Sequence, residues 1–132
     1  MTTDAIDEPG DASPDYHAIG SFIYGTARLE AAVAGMLADM GQGGADPEAM
    51  AANVRQAQAN FAALPAAEGD RIAFTALVHV LATFAELRDV MFEAITSMPA
   101  LELAARNASL AAATEEVRRL GAIARELAAS GV

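Results

Sequence analysis

FTALVHVLATFAELRDVMFEAI, residues 74–95, decides the fold of this chain. At 100° per residue, Phe74, Leu77, Val78, Val80, Leu81, Phe84, Leu87, Met91, Phe92 and Ile95, with Met98 just beyond, fill about half of a helical circumference. Thr75, His79, Thr83, Glu86, Asp89, Glu93 and Ser97 occupy the other side. So wide an apolar sector predicts a central helix, from an N-cap at Asp70 to about Ser97, that touches more than one neighbour. One residue breaks the sector. Arg88 projects within about 20° of Leu77 and Ile95. Its charge cannot be shed, so it needs a partner or a route to water.

Outward from this segment the pattern stays helical. Ile19, Phe22, Thr26, Leu29, Val33, Met36 and Met40 recur at spacings of three and four, a heptad stripe. Ser13 is the expected N-cap, with Pro14 in the first helical position and Asp15 facing the helix dipole. Gly20, Gly25 and Gly35 interrupt this helix, which ends at Gly41. Their small-xxx-small spacing with Ser21 and Ala31 predicts close helix contact or a local bend. A second helix opens on Asp46, Pro47 and Glu48. It carries Met50, Val54, Ala57, Phe61 and Leu64 on one face and stops at Pro65. Pro99 separates the third helix from a fourth of about 45 Å, with Leu103, Leu110, Ala113, Val117, Leu120, Ala124 and Leu127 along its seam. The second helix is much shorter. Its longer neighbours would overhang it, leaving seam for a second copy to cover.

Composition agrees. Ala, the best helix former, accounts for 34 of 132 residues, and the aromatic share is 5%, which favours helices over sheets. The expected fold is all-α, an antiparallel four-helix bundle over residues 13–132. Residues 1–12 hold four acids, no base and little to bury, and read as a disordered acidic tail. No apolar stretch reaches the roughly 18 residues of a membrane span, and no secretory signal opens the chain, so a cytoplasmic location is expected.

Several chemistries are excluded. Without Cys there is no thiolate catalysis or zinc–thiolate site. Without Lys there is no Schiff base, and GQGG at 41–44 lacks the context of a phosphate loop. A net charge of −10 repels nucleic acid and attracts a basic protein. No Glu-x-x-His motif offers a di-metal site. Glu86, Asp89 and Glu93 share a face but lack the second carboxylate cluster that all-α pyrophosphohydrolases use, since Glu115 and Glu116 are adjacent. No metal or cofactor is expected.

Arg106 and Asn107 interrupt the fourth helix as Arg88 does the third. Glu30 and Glu102 are the candidate partners of the two arginines. The favoured reading is an internal ion pair that fixes helix register, within the chain or across a dimer. The sharper one is an anion pocket clamped by Arg88 and Arg106. His79, between Thr75 and Thr83, could display a phospho-acceptor as phosphotransfer bundles do, but VHVLATF lacks the Lys and Gly usual near such a histidine. Leu81, Phe84 and Met91 are the expected homodimer contacts. With no catalytic constellation, the expected function is non-enzymatic protein binding, as adaptor, chaperone or assembly factor. The alternative is an amphipathic coat or apolar-ligand bundle similar to the phasins, which are Ala-rich and Cys-free.

Overall fold

The computed structural model describes residues 15–40 and 50–130. The acidic tail, Ser13, Pro14, Gly41 and the expected start of the second helix at Asp46, Pro47 and Glu48 lie outside the described residues. Four helices follow one another: α1 (Tyr16–Asp39), α2 (Met50–Ala62), α3 (Glu68–Ala94) and α4 (Ala100–Ser130), with one 3-10 turn at Ile95–Ser97. Among the described residues there is no strand. The fold is an all-α four-helix bundle around one apolar core.

Helix boundaries follow local chemistry, with two corrections to the sequence reading. Asp15 is the N-cap of α1, its Oδ1 accepting from the Ala18 N–H at 3.0 Å. It therefore satisfies an orphan donor directly rather than only facing the dipole. At α3 the cap position falls on Ala67, which has no side chain to offer. Asp70 sits inside the first turn, where its charge still suits the dipole. The α2–α3 corner at Pro65 is closed by Arg71, whose guanidinium donates to the Ala62 and Leu64 carbonyls. At the other corner Met98 is extended, as a residue before proline must be, and Leu103 N–H bonds the Pro99 carbonyl at 2.9 Å to open α4.

The antiparallel contacts all involve α3. It meets α1 through Phe22–Phe92 and Glu30–Arg88, α2 through Phe61–Phe74, and α4 through Asp70–Arg119. The numbers run in opposite directions: residues 22 and 30 meet 92 and 88, residue 61 meets 74 while 51–58 border 78–86, and residue 119 meets 70 while 106–113 border 79–91. Strict up-and-down alternation would set α1 parallel to α3 and antiparallel to α4. Instead α1 and α4 run the same way: Asn107 donates to the Ala18 carbonyl, Leu110 lies beside Gly25, and Gly121 and Arg125 lie beside Asp39.

The α1–α4 seam is the tightest in the molecule. A methyl group at Gly121 would stand 3.1 Å from the Asp39 carboxylate and 3.5 Å from Met36 Cγ. One at Gly25 would stand 3.4 Å from Leu110 Cδ1. Close approach accounts for these two glycines. It does not account for Gly20 and Gly35, around which a methyl would meet nothing within 4 Å. Gly20→Ala and Gly35→Ala should each raise stability by about 0.5–1 kcal/mol, since alanine loses less backbone entropy in a helix. Urea melts of the two variants check this, and a loss of stability would show that these positions are covered.

Candidate functional site

The wide apolar sector of α3 is divided among its neighbours. Phe74, Leu77, Leu81, Met91 and Ile95 are buried by the chain itself. The Phe61 and Phe74 rings stack with centroids 4.1 Å apart, and Phe22 meets Phe92 edge-on at 5.6 Å. Ile72, Val80, Leu87 and Val90 are exposed. These four, with Ala76 and Thr83, occupy one sector of the helix about 80° wide, with no charge in it.

This corrects the expected dimer surface. Leu81 and Met91 are covered by the chain's own helices, and Phe84 is half-buried. Of the side chains left open, Val80 and Leu87 face α4. The reason is that α4 packs its seam onto α1 and only borders α3. A groove runs between α3 and α4, with Phe22 and Leu29 of α1 as its floor. Its deeper part, about 380 Å³, is walled by Val80, Phe84, Leu87 and Met91 on one side and Ser109, Leu110 and Ala113 on the other. It continues toward Ala73, Ala76, Ala112 and Glu116. Between Ala73 and Met91 that is about 27 Å, or five helical turns.

The polar groups at this groove are few. Arg106 and His79 stand at its rim. Arg106 lies 3.6 Å from Glu102, both side chains nearly half exposed. At the far end Arg119 donates to both Glu116 carboxylate oxygens at 2.8 Å. That hydrogen bonding holds the Glu116 carboxyl below its usual range. The small stability it contributes is present above the unfolded carboxylate pKa and fades as pH falls through the lowered folded value.

Arg88 is not part of the groove. Its Nε donates to the Glu30 carboxylate of α1, and its guanidinium carbon lies 4.8 Å from the centre of the Phe92 ring. Glu30 is buried, whereas 38% of the Arg88 side chain remains exposed. The arginine therefore starts from the middle of the apolar sector and reaches the bundle edge. Asp89 lies 3.5 Å from its other end. Arg88 and Arg106 each hold a different carboxylate, so the structure brings no two-arginine clamp together.

The remaining expected site residues stand apart. His79 is exposed at mid-helix. Its neighbour Thr75 bonds back to the Arg71 carbonyl and is not turned toward it as a partner. Glu86, Asp89 and Glu93 are solvent-facing. Among the described residues no three metal-ligating side chains converge, and no helix is long and apolar enough to cross a membrane. The residues that the sequence reading missed are Val80 and Leu87 as exposed groove walls. Periodicity could not separate them from the buried members of the same sector. Asn107 is the other gain in detail: its amide ties α4 to the first turn of α1. No family model, curated protein or solved structure matches the chain.

Proposed function

We propose that this chain is a non-enzymatic, cytoplasmic protein-binding bundle, an adaptor or assembly factor that takes a partner segment into the α3–α4 groove. The supporting observation is the groove itself, five turns long, apolar on both walls and floored by the buried core. Exposed apolar surface of this continuity on a small helical protein marks an interaction site. Helix-in-groove recognition suits its shape, with partner side chains at i, i+3, i+4 and i+7 filling the space between Val80, Leu87 and Ser109. The competing occupant of the groove is a second copy of this chain, which would meet Val80 and Leu87 rather than Leu81 and Met91.

The test uses Leu87→Asp, a change at a partly exposed position that should leave the bundle folded. Wild-type chain should retain a protein from extracts of its native source that Leu87→Asp does not. Hydrogen exchange of the purified complex should show new protection on α3 and α4 facing the groove. Protection confined to α2 or the outer face of α1 would remove this reading.

A further inference from the structure

The two ends of the α3–α4 groove differ in chemistry. Arg106 of α4 stands beside Met91 of α3 at one end, and Glu116 stands beside Ala73 at the other. Between them the walls are apolar, with His79 and the hydroxyls of Thr83 and Ser109 as the polar groups. The chain carries a net charge of −10, yet no carboxylate among the described residues lines the deep part, a slot between the two helices.

Arg106 is loosely held. Glu102 lies 3.6 Å from it, beyond hydrogen-bond range, and stands outside the slot. The guanidinium makes no hydrogen bond among the described residues, so its N–H donors are open to an anion at this end. The other end is the reverse. Arg119 is already bonded to both Glu116 oxygens at 2.8 Å and lies 3.9 Å from Asp70, two carboxylates around one cation. An anion is therefore favoured at Arg106 and opposed at Glu116.

The slot is also narrow. It runs from Met91 to His79, about 18 Å of helix, so a volume of about 380 Å³ gives a mean cross-section of about 20 Å². That is the width of one extended hydrocarbon chain. A helix, about 10 Å across, lies over such a slot and puts only side chains into it. The volume falls within the roughly 300–1,000 Å³ of small-molecule sites, whose usual make-up is an apolar lining with a few polar groups that fix orientation.

We infer that the slot binds a free fatty carboxylate, its head group on Arg106 and its single unbranched tail over Phe22 and Leu29, past Val80 and Ala113 toward Ala73. Burial of the methylenes supplies the affinity, and the guanidinium fixes the direction. This goes beyond the protein-binding reading and does not depend on it. Both use Val80 and Leu87, so a bound tail and a seated partner helix exclude each other.

The experiment is calorimetric titration of the full chain with octanoate, decanoate, dodecanoate and dodecyltrimethylammonium, each below its micelle concentration. Dodecanoate should bind once per chain with a micromolar Kd, and each pair of methylenes removed should weaken binding about tenfold. The ammonium amphiphile has the same tail and should bind at least about tenfold more weakly. Arg106→Gln, at a half-exposed position, should weaken dodecanoate about tenfold without weakening the ammonium amphiphile. Ser109→Phe, at an exposed position on the slot wall, should fill the slot and abolish binding of every tail while the bundle stays folded. No binding of dodecanoate, equal affinity for the two head groups, several amphiphiles per chain, or binding indifferent to Arg106→Gln or Ser109→Phe would overturn the inference. So would light scattering that finds a dimer dissociated by Ser109→Phe, because a second copy would then fill the slot. A partner retained from native extracts and lost in Leu87→Asp, with no binding of dodecanoate, would leave the protein-binding reading standing and remove this one. Dodecanoate binding with no such partner would do the reverse.

Discussion

Phe22→Ala should lower stability by about 3–5 kcal/mol, the range for removing a buried aromatic ring. Phe22 is fully buried and meets Phe92 edge-on at 73°. It is also the floor of the α3–α4 groove, so its loss removes apolar burial and opens the core to the groove from below. Domains are stable by only about 5–15 kcal/mol, so the variant should be near its unfolding threshold. Urea denaturation with an unchanged slope would read the difference as stability. Phe22→Leu keeps most of the volume and should recover more than half of the loss. A cost below about 1 kcal/mol for Phe22→Ala would mean that the ring is not part of the core.

The second large effect concerns Arg88. Arg88→Ala should cost about 2 kcal/mol. The value lies between the 3–5 kcal/mol of a broken buried pair and the near-zero worth of an exposed one, because Glu30 is buried and Arg88 is not. Part of the loss is the cation–π contact with Phe92. Arg88→Met should behave similarly, since it too leaves the Glu30 carboxylate without its partner. Combining Arg88→Met with Glu30→Leu should recover much of the stability, because an apolar pair avoids the desolvation of both charges. If the double variant is no better than Arg88→Met alone, the two residues do not act as a pair. Melts in phosphate, sulfate and chloride at equal ionic strength should give the same ranking. Stabilisation by one anion that depends on Arg88 would point instead to an anion site.

The groove changes the meaning of the overhang seen in the sequence. Helix α2 is short, and α3 and α4 extend past it. The sequence alone suggested that a second copy would cover the excess. In the structure α1 covers most of it by lying along α4. What stays open is the border of α3 that faces α4, and that border is apolar.

Much of the core was readable from spacing. Ile19, Phe22, Thr26, Leu29, Val33 and Met36 are buried as their heptad stripe requires, and so are Val54, Ala57 and Phe61 on α2. Pro65 and Pro99 fall at the corners because proline and the residue before it cannot continue a helix. Glu30 could be named as one of two candidate partners for Arg88 and Arg106 because it flanks the α1 stripe and a charge on an apolar face needs an opposite one. All of these are local rules, in which a residue's neighbours at i, i+3 and i+4 determine which way it faces.

Three things were decided only by the tertiary structure. A heptad stripe marks the buried face of a helix but is nearly the same read in either direction, so it could not tell that α1 and α4 run parallel. The fit of Leu110 beside Gly25 and of Asp39 beside Gly121 sets that pairing, and it is a property of two helices together. A wide apolar sector likewise shows how much of α3 avoids water, not how its neighbours share it. With α4 drawn onto α1, Leu81 and Met91 are enclosed while Val80 and Leu87 are left at an open groove. Finally, the sequence placed Arg88 and Arg106 on apolar faces without showing which carboxylate each could reach, because the two ends of an ion pair 58 residues apart are joined only by the fold.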